Sequence, residues 1–159
     1  MKFNSALKNF VLVLFSTLLI SACSTAKKAS VDTTDDVYTG TDTVEYLANG
    51  VPDRVFFATN KSSLTTRSRA TLRKQATYLR KNKDLTVTIE GHADERGTRE
   101  YNLALGERRA NAAKDYLMTY GVSGKRISVI SYGKEKPVNP ASSPLAWSQN
   151  RRSVTIKAN

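Results

Sequence analysis

The chain has 159 residues, 40% of them hydrophobic and 25% charged, with a formal net charge of +11. That suits one compact domain plus an extension and holds too little apolar sequence for a membrane bundle. One cysteine and one histidine leave no disulfide framework and argue against a zinc centre.

The chain opens MKFNSALKNFVLVLFSTLLISACS. Lys2 and Lys8 make a positive leader, Phe10 to Ile20 make an apolar stretch of eleven residues, and small residues follow. The stretch is too short to span a bilayer as a helix and has the order of a secretory signal, so residues 1–22 read as a signal peptide. The run Ile20-Ser21-Ala22-Cys23 resembles the lipobox of bacterial lipoprotein precursors. That resemblance implies cleavage before Cys23 and acylation of its thiol and new amine. The alternative is a plain cysteine beside an ordinary cleavage site. One acyl chain binds a membrane only marginally, at ~0.8 kcal/mol per buried methylene, and several bind stably. Ser24 stands where an aspartate would mark retention at the inner membrane, so the resemblance implies an outer-membrane lipid anchor with the domain facing the periplasm.

Residues 24–50 are rich in Ser, Thr and Asp without a sustained period. With Cys23 they read as a tether, with Val44 to Leu47 a candidate docking point on the domain. A flexible stretch of this length reaches roughly 30 Å and, pulled taut, about 90 Å. Charge divides here: residues 24–50 carry a net −3 and residues 51–159 a net +12. A basic domain suits an anionic partner. The secretory signal argues for cell-wall carboxylates or anionic lipid and against nucleic acid.

From Val51 strands and helices alternate. Arg54 to Phe57 is a short strand. Thr65 to Lys81 is a helix with Leu72, Ala76 and Leu79 on one face. Leu85 to Glu90 alternates Leu85, Val87 and Ile89 against Thr86, Thr88 and Glu90, which predicts a half-buried strand. Thr98 to Tyr120 holds a second helix with a stripe of Leu103, Gly106, Ala110, Ala113 and Leu117. Thr98 is its N-cap and Gly121 its stop. Arg126 to Tyr132 is a third strand, Leu145 to Gln149 a short helix and Ser153 to Lys157 the last strand. The order βαβαβ(α)β predicts an α/β (α+β) sandwich over residues 51–159, with helices packed on a mixed sheet.

The stretch EGHADERGTREYNLALGERRA at 90–110 concentrates charge at a strand-to-helix junction. At about 100° per residue, Arg109 lies ~60° from Gly106 and ~40° from Ala113, so it flanks the buried face, while Arg108 points to water. A half-buried guanidinium needs an anion, from the protein or from a ligand. Asp94 falls four residues past the predicted strand, in a loop that Gly91 and Gly97 let bend, and such loops commonly hold ligands. Asp94 and Arg109 converging on one cleft would match a zwitterion, Asp94 accepting from an ammonium and Arg109 gripping a carboxylate. Alternatively, the two pair with each other or with neighbours such as Glu107.

That stretch, with SYGKEKP at 131–137 and NRRSV at 150–154, resembles the OmpA-like peptidoglycan-binding family from about Val55 to Ile156. The resemblance implies non-covalent binding of uncrosslinked peptidoglycan stems through diaminopimelate. The family aspartate falls on Asp94 and the family arginine on Arg109. Backbone amides of the loop FATNKSSL contribute in relatives, which brings in Thr59 and Asn60. Many relatives carry aspartates at the positions of Ala58 and Asn60, so the side-chain part of Asn60 departs from the pattern. Many also carry proline at Arg99, a first helical position that favours proline without requiring it. With the lipobox, the resemblance further implies the Tol system, with its periplasmic propeller protein as partner and other OmpA-like or Tol proteins beside it.

His92 supports the loop by hydrogen bonding or is exposed. Arg151 and Arg152 pair with loop carboxylates or touch the glycan. Trp147 and Tyr132 are structural or border the cleft, and Glu95 and Arg96 suit surface pairs. No cofactor is called for, and no serine elbow, phosphate-cradling loop or placeable carboxylate pair marks an enzyme. The alternatives are another wall-binding lipoprotein outside the Tol system, a wall hydrolase acting through Asp94 or Glu95, or a basic protein that attaches to any polyanion.

Overall fold

A computed structural model describes residues 31–32 and 36–158. The signal peptide and Cys23 lie outside the described residues. The described residues hold eight short strands and three α-helices. The strands are β1 (Val31–Asp32), β2 (Val37–Tyr38), β3 (Tyr46–Ala48), β4 (Val51–Pro52), β5 (Arg54–Phe56), β6 (Val87–His92), β7 (Ile127–Gly133) and β8 (Arg152–Lys157). The helices are α1 (Thr66–Lys81), α2 (Arg99–Thr119) and α3 (Pro144–Asn150).

The main sheet runs β5-β8-β6-β7, and β1–β2 and β3–β4 form two antiparallel pairs. β6 and β7 are parallel, joined through α2, while β8 inserts antiparallel between β5 and β6. The sheet is therefore mixed, as expected. The central strand β8 is buried over Arg152, Ser153, Val154 and Thr155.

Local chemistry sets the helices. Thr65 Oγ1 accepts from the Ser68 amide at 3.1 Å and Thr98 Oγ1 from the Tyr101 amide at 3.2 Å, which caps α1 and α2. At the far end of α2, the Val122 amide donates to Leu117 and the Gly121 amide to Met118, with Gly121 at φ 83. This is the Schellman pattern, and Val122 and Leu117 are both buried in the core. Leu72, Ala76 and Leu79 of α1 and Ala110, Ala113 and Leu117 of α2 meet Val55, Phe57, Val87, Ile89 and Ile127 of the sheet face. Gln75 lies on the apolar face of α1 and is fully buried; it donates to the Pro52 carbonyl and accepts from Thr155.

Three differences from the expectations have physical reasons. Leu103 is 42% exposed, whereas Asn102 and Leu105 are buried; α2 is rotated toward the site loop, and Asn102 Nδ2 donates there to the Arg96 carbonyl at 2.8 Å. Gly91 belongs to β6 rather than to the loop, and a side chain there would strike the Gly106 carbonyl, so this glycine pair sets how closely strand and helix approach. The tether expected over 24–50 is packed chain from residue 36. Val37 and Tyr38 are buried against Phe56, with the Tyr38 and Phe56 rings edge-on at 4.8 Å, and Leu47 is 5% exposed. Phe56 belongs to this second cluster, apart from the one that Val55 and Phe57 share with the helices.

Candidate functional site

The parallel ladder with β7 carries β6 through His92, so Asp94 lies two residues past the strand rather than four. The Ala93 amide donates to the Gly133 carbonyl at 2.7 Å, and the chain then turns out. Gly97, at φ 91, completes the bend before the Thr98 cap.

Asp94 is 7% exposed. Its Oδ1 accepts from the Arg96 amide and from Arg96 Nε, both at 3.1 Å, and its Oδ2 from Arg96 Nη2 at 2.7 Å and Arg151 Nη1 at 3.3 Å. Burial by itself raises this carboxyl, but hydrogen bonds and charge from Arg96, joined by Arg151, outweigh it and hold Asp94 below the ordinary carboxylate range. It is ionised at neutral pH.

Arg109 is completely buried rather than flanking. Its Nη1 donates to the His92 carbonyl at 2.8 Å, Nη2 to Ala58 at 3.1 Å and Nε to Lys61 at 2.9 Å. The guanidinium carbon stands 5.3 Å from the Phe57 ring centre. Burial pushes the group down to about 9, the Arg151 charge adding to the shift and Asp94 opposing it, so it stays charged at neutral pH. Arg109 thus ties the loop after β5 to the end of β6, behind Asp94. Arg108 is exposed, as expected.

The loop after β5 turns at Ala58–Lys61, closed by the Lys61 amide on the Ala58 carbonyl at 3.2 Å. Asn60 holds the third position at φ 56, as a type II turn requires. It is exposed, and its backbone conformation is the immediate reason for an asparagine there. Thr59 is half-buried; its hydroxyl donates to the Asp36 carboxylate and accepts from Arg96 Nη2 at 3.3 Å. The structure therefore brings Thr59 and Asp94 together through Arg96, sets Arg109 beneath them and leaves Asn60 at the rim.

Two residues join that the sequence reading missed or left open. Arg151 is 1% exposed and takes the loop-pairing course. Its Nε donates to the Phe57 carbonyl at 3.1 Å and its Nη1 meets Asp94. Its Nη2 stands 2.9 Å from Asp36 Oδ1. Asp36 arrives from the segment read as tether; the apolar pair Val37-Tyr38 just after it was the available signal that this stretch docks. Arg152 instead donates to the Asn150 and Lys136 carbonyls at 3.4 and 3.3 Å.

Glu95 accepts from Trp147 Nε1 at 2.8 Å and Ser142 Oγ at 3.0 Å, and Arg96 lies over the Trp147 ring at 4.4 Å. Trp147 therefore borders the loop. His92 is 1% exposed; its Nε2 stands 3.5 Å from Glu90 Oε2, and its backbone carbonyl supports the site. Among the described residues no group of three His, Cys, Asp or Glu side chains could hold a metal ion.

The sequence profile of the OmpA family matches residues 56–151, a stretch that contains Thr59, Asn60, Asp94, Arg96, Arg109 and Arg151 but not Asp36. A peptidoglycan-associated lipoprotein of Rhizobium meliloti (strain 1021) is 58% identical over 106 residues, covering 67% of this chain and 60% of that relative's length. One from Brucella melitensis biotype 1 is 42% identical over 150 residues, 91% of this chain and 89% of its own length. The crystal structure of the peptidoglycan-associated lipoprotein from Burkholderia pseudomallei is similar at a TM-score of 0.65 and 38% identity, over 67% of this chain and 90% of that one.

Proposed function

The chain belongs to the OmpA family, and from that premise we propose that it is a lipid-anchored protein that binds peptidoglycan non-covalently through the free end of diaminopimelate stems. The observation that carries the reading is the ionised Asp94 carboxylate, buried to 7% exposure at the meeting of the loops after β5 and β6. An ionised carboxylate in such a place accepts strongly from an ammonium group, and the guanidinium groups of Arg109 and Arg151 supply positive charge for the carboxylate beside it. The relatives named above as peptidoglycan-associated lipoproteins support peptidoglycan as the partner.

The site chemistry speaks for binding over hydrolysis. A glycosidase acid must keep its proton near neutral pH. Asp94 is held below its ordinary range, and so is Glu95, by hydrogen bonds from Trp147 and Ser142. Neither retains a proton to give.

In this reading Cys23 carries the acyl chains into the outer membrane and the domain faces the periplasm. Among the described residues no helix is long and apolar enough to cross a membrane. Membership of the Tol–Pal system, with the periplasmic propeller protein as partner, belongs to the same proposal. Copurification with that propeller separates it from a wall-binding lipoprotein outside the system.

The direct test is sedimentation with purified cell-wall sacculi. Asp94→Ala is expected to remain in the supernatant while Arg108→Ala sediments like the unaltered protein. Loss of a charge-assisted contact of this kind costs roughly 2 kcal/mol or more. Full sedimentation of a folded Asp94→Ala variant refutes the proposal, and release of soluble wall fragments over time would replace it with a hydrolase.

A further inference from the structure

Arg151 lies between two carboxylates, Asp94 Oδ2 at 3.3 Å and Asp36 Oδ1 at 2.9 Å, and the two are not equivalent. Asp94 is buried and its loop is fastened by Arg96, Asn102 and Lys134. The Asp36 side chain is 46% exposed and precedes the residues 56–151 that match the family profile. Its carboxylate receives the Arg151 guanidinium and the Thr59 hydroxyl, and its backbone carbonyl also accepts from Arg151 Nη2. Its backbone stands at φ 57 in the turn between β1 and β2, a left-handed conformation that Asp enters more readily than most residues. The contacts that hold Asp36 are therefore those that a carboxylate ligand would seek.

We propose that Arg151 and Thr59 form a carboxylate-binding subsite beside Asp94, and that the chain's own Asp36 occupies it as a built-in competitor of the ligand. The inference rests on the reading of the Asp94 site given above and assigns the carboxylate half of it. In an amino-acid end, ammonium and carboxylate leave one carbon, so the groups that receive them must be neighbours. Asp94 and Arg151 are such neighbours. Arg109 commits three N–H groups to backbone carbonyls and lies behind them. A carboxylate ligand must exchange with Asp36 on Arg151, so the apparent affinity is the intrinsic affinity scaled by the fraction of molecules in which Asp36 has left. Val37 and Tyr38, buried on Phe56, keep Asp36 at high local concentration. Only the carboxylate and the backbone next to it need move.

The experiment compares the acylated or acyl-free mature chain with Asp36→Asn and Asp94→Asn variants, using free meso-diaminopimelate in calorimetry and sacculi in sedimentation. Asp36→Asn is expected to bind both roughly fivefold more tightly, the equivalent of one partly exposed ion pair, and Asp94→Asn to lose binding. In amide NMR spectra, diaminopimelate is expected to shift Asp36 and Val37 of the unaltered protein toward their positions in ligand-free Asp36→Asn. Equal affinity of Asp36→Asn and the unaltered protein overturns the competitor while leaving the Asp94 site intact. Weaker binding by Asp36→Asn also overturns it, making Asp36 part of the ligand contact. Failure of every form to bind either probe refutes the Asp94 site and this inference together.

Discussion

The Nη1 of Arg109 donates to the backbone carbonyl of His92 at 2.8 Å, so the helix that follows the site loop holds the end of the strand that precedes it. The same guanidinium holds Ala58 and Lys61 of the loop after β5. Arg109→Ala would leave those carbonyls without this donor, and the expected loss is about 3 kcal/mol of unfolding free energy. Arg108→Ala is expected to stay within about 0.5 kcal/mol. Urea unfolding of the two variants checks this, and equal midpoints would show that Arg109 is not a structural tie.

Stability should fall in acid for a nameable reason. Burial first, then the charges of Arg152, Lys136 and Arg54, push the His92 imidazole from 6.5 down to about 3. Between those values the unfolded chain takes up a proton that the folded chain refuses, so unfolding becomes easier as pH falls from about 6.5. At pH 5 the expected cost is about 2 kcal/mol. A hydrogen bond to the Lys136 backbone works against it. Asp94, whose folded pKa is depressed, adds a further loss as pH falls through that folded value. Urea midpoints between pH 7 and pH 4 test the sign, and His92→Asn should flatten the upper part of the profile.

Two glycines separate crowding from backbone strain. A side chain on Gly106 would meet Ser131 Oγ and the Gly91 carbonyl, whereas one on Gly50, at φ 71, would meet nothing within 4 Å. Gly106→Ala is expected to cost about 2 kcal/mol or more. Gly50→Ala should cost about 1 kcal/mol from its left-handed backbone alone. Thermal melting of both variants ranks them, and the reverse order would contradict the close β6–α2 packing.

The facing of α2 can be tested with two leucines. Leu105 is 3% exposed and Leu103 42%. Leu105→Ala should lose about 3 kcal/mol, and Leu103→Ala about 0.5 kcal/mol. A larger effect at Leu103 would restore the stripe expected from the sequence.

That stripe shows where sequence reasoning stopped. Leu103 fits an apolar period as well as Leu105 does, and the choice fell to Asn102, whose side chain reaches the Arg96 carbonyl. For the same reason Arg109 was placed at the flank of α2 and is completely buried. A helical wheel gives direction but not what stands opposite, and here three backbone carbonyls make full burial of a cation tolerable. His92 shows the converse: nothing local distinguishes a buried imidazole from an exposed one.

From sequence alone came the helices that become Thr66–Lys81 and Arg99–Thr119, the Thr98 cap of the second, the alternating strand that becomes β6, the OmpA-like motif and the prominence of Asp94. These follow from interactions within a turn or two of the chain, or from a long local pattern. Tertiary structure alone decided that β8 enters between β5 and β6, that Arg151 reaches Asp94, and that Asp36 crosses 115 residues of sequence to share it. The physical reason is that charge pairing depends on distance in space. Strand order sets that distance, and strand order emerges only when all faces of the sheet compete for burial at once.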